Sequence, residues 1–179
     1  MSTAEGPLGP LLRERIEIDD GGLGNMWPVF YDPALFTRVI EGLAAPFVGA
    51  VDKVIGIESR GFVLGAAVAS RLRVGFVAIR KADGLYPGET IEAFTESDYR
   101  GRRHTFRLQR AAVNPGERIG LVDDWFETGS QGLIARALLE AAGAHYVGAS
   151  IIVDQLSDQK RSELAPCHSL VAASELNFA

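Results

Sequence analysis

Twice along this chain a short β-branched run leads into an apolar helical stretch and then into another short β-branched run. Val51 to Ile57 (VDKVIGI), Gly61 to Leu72 and Val74 to Ile79 (VGFVAI) make the first unit. Arg118 to Val122, the stripe Leu133, Ile134, Ala137, Leu138 and Ala141 closed by Gly143, and Tyr146 to Val153 make the second. Strands that are apolar on consecutive positions need cover on both faces, which parallel sheets flanked by helices provide. Gly61 to Leu72 is apolar nearly all round, so it should pack on two sides. The reading is an α/β fold with a mostly parallel twisted sheet flanked by helices. Ligands in such folds bind at the carboxyl ends of the strands.

The rest of the chain fits around that frame. Residues 1–10 carry Gly and Pro with little periodicity and should be loose; Leu11 to Ile18 is a short helix or strand. Asp32-Pro33 is a helix start, with Asp32 as N-cap and Pro33 at the first helical position. Leu35, Phe36, Val39, Ile40 and Leu43 follow at helical spacing. Residues 82–103 are polar and rich in turn formers, and a stretch that long with little core signal is usually functional or disordered. Thr105 to Leu108 alternates like a strand, Asp158 to Leu164 is a short helix, and Ser169 to Ala173 is a last strand. The 179 residues predict a single domain.

Composition narrows function by exclusion. The net charge is −5, which disfavours nucleic-acid binding through a global field; Arg100, Arg102, Arg103, Arg107 and Arg110 could form only a local patch. A single cysteine, Cys167, makes no internal disulfide and no Cys–His metal cluster. His104, His145 and His168 lack ligand spacing. The N-terminal residues lack the pattern of a secretory signal, and no apolar run is long enough to span a bilayer, so a cytoplasmic location is expected.

The chemistry concentrates in Ile119-Gly120-Leu121-Val122-Asp123-Asp124-Trp125-Phe126-Glu127-Thr128-Gly129-Ser130-Gln131. An apolar strand delivers two adjacent carboxylates, and a small polar loop then opens a helix. The N–H groups and positive dipole end of a helix N-terminus suit phosphate. Carboxylates repel a phosphate, so their presence there points to hydroxyl groups or Mg²⁺ beside it. A sugar phosphate satisfies both requirements; two solvated acids before a helix cap are the plain structural alternative.

This segment resembles the phosphoribosyl pyrophosphate (PRPP) signature of type I phosphoribosyltransferases, and the likeness to their adenine-specific branch runs from about residue 25 to 175. Ile57-Glu58-Ser59-Arg60-Gly61-Phe62 resembles its pyrophosphate loop. Ile79-Arg80-Lys81 and Pro87-Gly88-Glu89-Thr90 resemble the next strand and the start of its flexible loop. Pro115-Gly116-Glu117-Arg118 and Lys160-Arg161-Ser162-Glu163-Leu164-Ala165-Pro166 also match in family order. The resemblance implies the type I phosphoribosyltransferase fold, with a hood within residues 1–33 and a flexible active-site loop over 82–103. It implies that Asp123 and Asp124 bind the ribose hydroxyls and that Glu127, Thr128, Gly129, Ser130 and Gln131 surround the 5′-phosphate. Ser59 and Arg60, with Lys81, would hold pyrophosphate. Mg²⁺ would be held mainly by PRPP with Asp123 and Asp124 nearby, without direct protein ligation. The implied activity joins a purine-type base, adenine first, to PRPP in a homodimer.

The departures are specific. The family signature usually runs Asp-Asp-Leu-Leu-Ala-Thr-Gly-Gly-Thr, so Glu127, Ser130 and Gln131 stand out. Glu127 could serve as a base or as an acceptor for a ring N–H, or could point away from the ligand. A Glu-Tyr pair of the flexible loop is matched by Asp98-Tyr99, giving Asp98 a catalytic expectation, and a loop Lys is matched by Leu85. The hood pattern Phe-Arg-Asp-Ile-Ser-Pro aligns with Leu23-Gly24-Asn25-Met26-Trp27-Pro28, which leaves Trp27, Phe30 and Trp125 as candidate stacking partners for the base. Three alternatives stay open: a transferase for a modified or 6-oxo purine, a PRPP- or nucleotide-sensing regulatory protein on the same fold, and an unrelated sugar-phosphate enzyme.

Overall fold

The protein is described from a computed structural model over residues 7–19, 24–81, 86–95 and 104–176. A seven-stranded sheet forms its centre, with spatial order β5-β6-β4-β3-β7-β8-β9. The parallel part comprises β3 (Lys53–Ile57), β4 (Gly75–Lys81), β7 (Arg118–Phe126), β8 (His145–Asp154) and β9 (Cys167–Ala172). An antiparallel hairpin, β5 (Thr90–Phe94) and β6 (Thr105–Gln109), extends the sheet beyond β4. The first β-branched run therefore sits at the middle of the sheet, with β4 on one side and β7 on the other. The connections reverse direction between β3 and β7, and there the carboxyl ends of the strands open a crevice.

Alternation along the strands assigns the two faces. Val54, Val122, Ile152 and Val171 point into one buried cluster with the helices α3 (Pro33–Ala44) and α4 (Arg60–Leu72). Ile55, Leu121 and Ile151 point into the other with α5 (Ser130–Ala141). Each such side chain removed from water contributes about 1.5–3 kcal/mol before the entropy of ordering it. Helix α4 packs on β3, β4 and β7 beside α3, which packs on β8 and β9. Val63 and Ala66 of α4 are exposed, so the cover on two sides expected from its apolar sequence is not complete. Asp32 caps α3, its Oδ1 accepting from Ala34 N (3.0 Å) and Leu35 N (3.1 Å).

Several boundaries differ from the sequence reading. Helix α1 (Leu8–Arg15) begins inside the stretch expected to be loose, because Pro10 falls in the first turn, where a missing N–H costs no hydrogen bond. It precedes a small antiparallel pair, β1 (Glu17–Ile18) with β2 (Gly24–Asn25), and the short helix α2 (Trp27–Tyr31). The expected loop 82–103 contains strand β5; residues 82–85 and 96–103, and with them Leu85, Asp98, Tyr99, Arg100, Arg102 and Arg103, lie outside the described residues. Strand β7 runs through the two aspartates instead of ending before them. The short helix α6 (Asp158–Glu163) follows β8. No helix among the described residues is long and apolar enough to cross a membrane.

Candidate active site

A cleft of about 460 Å³ lies at the carboxyl ends of β3, β4, β7 and β8. Its walls carry Ser59, Arg60, Lys81, Asp123, Asp124, Thr128, Gly129, Ser130 and Gln131, and also Trp27, Trp125 and Glu127. Residues from four separate segments thus meet in one place. Asp98 lies outside the described residues. Phe30 is not on the cleft wall. Its ring packs edge-on against Trp27 (5.4 Å between centroids) and Phe36 (5.6 Å), so it supports the hood from behind.

The two carboxylates are the most unusual feature of the site. Asp123 and Asp124 are 7% and 6% exposed, a burial that ionisable groups rarely show without a partner. Burial first, and then the neighbouring Asp124 charge, push the Asp123 carboxyl well above the ordinary aspartate range. Burial also raises Asp124, opposed by the Arg60 guanidinium. Arg60 Nε lies 2.6 Å from Asp124 Oδ2. That approach is an ion contact lacking the geometry of a hydrogen bond, so Asp124 Oδ2 remains a buried oxygen with no hydrogen-bond partner. Such an atom is costly unless a ligand completes it. Asp123 Oδ1 accepts from the Asp124 backbone N–H at 3.0 Å, which fixes its carboxyl plane.

Beside the carboxylates, α5 presents a bare N-terminus. Its N-cap is Gly129, with φ 73°, and no side chain caps it. Only a residue at ease in the left-handed region can make that turn, and a Cβ there would also lie 2.9 Å from Leu156. Thr128 Oγ1 and Ser130 Oγ are 3.0 Å apart, which places two hydroxyls at the helix entrance. Ser130 N makes a long hydrogen bond to Thr128 Oγ1 (3.4 Å), and the N-cap glycine has no side chain to take up the N–H groups that follow, a helix terminus that suits an anion.

The floor beneath this loop is held by the segment after β8. The buried Asp154 accepts from Leu156 N (2.8 Å) and pairs with Arg161, which also donates to Leu156 O (3.2 Å). This network places Leu156 and Leu164 under Gly129. The burial of Cys167, together with the Asp154 charge, pushes its thiol up to about 11, so it is no nucleophile at neutral pH.

Gln155, which sequence reasoning missed, also lines the cleft, as do Glu58, Gly24 and Phe126, which it placed in matched motifs without a role of their own. Glu58 accepts from the Lys81 backbone N–H (2.9 Å) and from Arg80. Burial works to raise its carboxyl, but these partners outweigh it and hold it low. Glu58 thereby ties the ends of β3 and β4 together. The signal for Gln155 was its place one residue past β8, at the same edge as the aspartates. The arginine patch contemplated for nucleic acid is partly neutralised: Arg107 pairs with Glu92 (2.8 Å) and Arg110 with Glu89 (3.2 Å).

Known proteins resemble this chain in sequence and fold. Residues 31–169 match the family described as the phosphoribosyl transferase domain. Adenine phosphoribosyltransferase of Rhizobium leguminosarum is 40% identical over 135 residues, covering 74% of this chain and 73% of that protein. The crystal structure of adenine phosphoribosyltransferase from Rhodothermus marinus superposes with a TM-score of 0.81 at 30% identity, covering 91% of this chain and 97% of that one. The Saccharomyces cerevisiae enzyme, complexed with an imino-altritol bisphosphate and adenine, gives a TM-score of 0.81 at 29% identity over 91% and 98%.

Proposed function

This chain belongs to the phosphoribosyl transferase domain family, and from that premise we propose that it is an adenine phosphoribosyltransferase, joining adenine to PRPP to give AMP and pyrophosphate. The observation that carries the reading is the buried Asp123–Asp124 pair directly beside the uncapped start of α5. Few ligands need both a pair of hydroxyl-gripping carboxylates and an adjoining anion cradle; a ribose 5-phosphate needs both.

Each residue then has a task that follows from its chemistry. The carboxylates of Asp123 and Asp124 accept from the ribose hydroxyls, which restores hydrogen bonds to oxygens the fold has desolvated. Thr128, Gly129, Ser130 and Gln131 hold the 5′-phosphate at the helix terminus. Arg60 and Lys81 face the departing pyrophosphate, where negative charge grows in the transition state, and Ser59 adds a hydroxyl donor. Arg60 lies against Asp124 on the cleft wall, which stations a cation there. We assign Glu127, exposed on the cleft wall, as the acceptor of the ring N–H proton of the base. A part for Asp98 rests on the family resemblance alone.

Mg²⁺ suits this donor set. Asp124 Oδ2, ion-paired with Arg60 but without a hydrogen bond, and its neighbour Asp123 are hard anionic oxygens of the kind that accompany Mg²⁺. Among the described residues no group of three or more His, Cys, Asp or Glu forms an all-protein metal cage. We therefore assign Mg²⁺ to the PRPP-bound state, with Asp123 and Asp124 as the nearest protein groups. When bound it would supply positive charge to the leaving pyrophosphate. A homodimer and a cytoplasmic location belong to the same reading and rest on kinship with the family.

The test is product identity. Incubation with PRPP, Mg²⁺ and, separately, adenine, hypoxanthine, guanine or xanthine should release pyrophosphate with adenine and yield AMP by mass. Turnover only with a 6-oxo purine would reassign the base. PRPP binding by calorimetry without turnover of any base would assign a PRPP-sensing role instead.

A further inference from the structure

Where the hood meets the sheet, three residues form a chain of contacts that the reaction scheme leaves unused. The backbone of β2 crosses Trp125 so closely that a Cβ on Gly24 would collide with the six-membered ring of the indole. On its other edge Trp125 Nε1 donates to Gln155 Oε1 at 2.9 Å. Gln155 and Trp125 both line the cleft, together with Trp27 of the hood.

This contact settles the orientation of the Gln155 amide. An indole N–H only donates, so it must face the amide oxygen, and the –NH₂ must point away from Trp125. That –NH₂ has no hydrogen-bond partner among the described residues, and Gln155 is exposed to the cleft. A donor pair held at the edge of a site rewards a ligand atom with a free lone pair. It penalises a ligand that buries it without one.

On the reading of the cleft as a PRPP and purine site, we propose that Gln155 is a specificity-determining residue that donates from Nε2 to an acceptor atom on the edge of the base, with Trp125 as the positioning residue that fixes its amide. The ligand chemistry is a heteroaromatic base with an in-plane lone pair, which in adenine means one of the acceptor nitrogens N1, N3 and N7. Trp125 is held in turn between Gly24 and Gln155, so its ring serves as a strut more than as a stacking platform.

The experiment compares kcat/KM for adenine and for 1-deaza-, 3-deaza- and 7-deazaadenine, each of which replaces one acceptor nitrogen by C–H. The wild-type enzyme should disfavour at least one analogue about tenfold or more, the size of one lost hydrogen bond in a closed site. In Gln155→Leu that penalty should collapse, because the donor is gone, with adenine falling to the level of the analogue. Gln155→Glu can still accept from Trp125 but opposes the base with an acceptor; it should lower kcat/KM for adenine more than Gln155→Leu does. Trp125→Phe should weaken the discrimination in part. PRPP affinity should stay within about twofold in the Gln155 variants, which separates a role in base recognition from general damage. Unchanged discrimination among all three analogues in Gln155→Leu would overturn the proposal while leaving the transferase reading intact. Absence of turnover by the wild-type protein with adenine and with every other base would overturn both.

Discussion

At the scale of single residues, the site is built on a cost. Two carboxylates side by side toward the end of a strand are desolvated and repel each other, and among the described residues Arg60 is the cation that relieves them. The pH dependence follows with a definite sign. A carboxyl whose value is raised in the folded state binds protons more readily there than in the unfolded chain. Its burial therefore costs little at low pH, and folding stability falls as pH rises from the ordinary aspartate value through the raised one. Asp123→Asn should consequently gain thermal stability relative to wild type as pH increases between about 4 and 8, measured by melts across that range. The same variant should lose PRPP affinity, since stability and function compete at such a site. A Tm difference that shrinks with pH would contradict the assignment. The aspartates and the Thr-Gly loop were legible in the sequence because polar residues follow directly on the apolar run Ile119–Val122, and the Ser59-Arg60 pair because its segment resembles the family's pyrophosphate loop. Glu58 and Gln155 were not, because their importance comes from partners far along the chain: Arg80 and Lys81 for one, Trp125 for the other. Phe30 misled because an aromatic side chain near a hood gives no sign of which neighbour will claim it.

At the scale of elements, the phosphate loop and its floor make one unit. Gly129 needs its left-handed φ of 73° and its missing Cβ, since Leu156 and Leu164 close in from below. Gly129→Ala should cost about 1–3 kcal/mol in chemical denaturation and should weaken PRPP binding alongside it. An unaffected denaturation midpoint would mean the loop is not clamped as described. The N-cap of α3 offers a contrast. Asp32→Ala removes the acceptor for Ala34 N and Leu35 N, at a residue that does not line the cleft. It should cost about 1 kcal/mol of stability with kcat/KM unchanged. Helix α3 was readable because Asp-Pro and a 3.6-residue apolar stripe agree. Strand β5 was not, because it is an edge strand with half-exposed side chains and takes its order from pairing with β6. Boundaries of β7 slipped for a related reason: backbone pairing with β8 continues through Trp125 and Phe126, past the point where polarity suggests a loop.

At the scale of the whole molecule, topology explains why so few residues suffice. The order β4-β3-β7-β8 brings the ends of non-consecutive strands together at the reversal of winding. Ser59-Arg60 after β3, Lys81 at the end of β4, Asp123-Asp124 in β7 and Gln155 after β8 are thereby brought from distant parts of the sequence into one cleft. The fold class was legible because two strand–helix–strand units admit few alternatives. The base-facing half was less so, since the family match begins at residue 31 and leaves β2 and Trp27 outside it. The central claim is that this cleft transfers a phosphoribosyl group through its aspartate pair. The most direct measurement is adenine-dependent release of pyrophosphate from PRPP and Mg²⁺, run side by side for wild type and Asp124→Asn. The account predicts release by the wild type only when adenine is present, and a loss of about a hundredfold or more in kcat/KM for the variant, since the carboxylate acts on both ribose and charge. Wild-type release that ignores adenine, or equal rates in the two proteins, would contradict it.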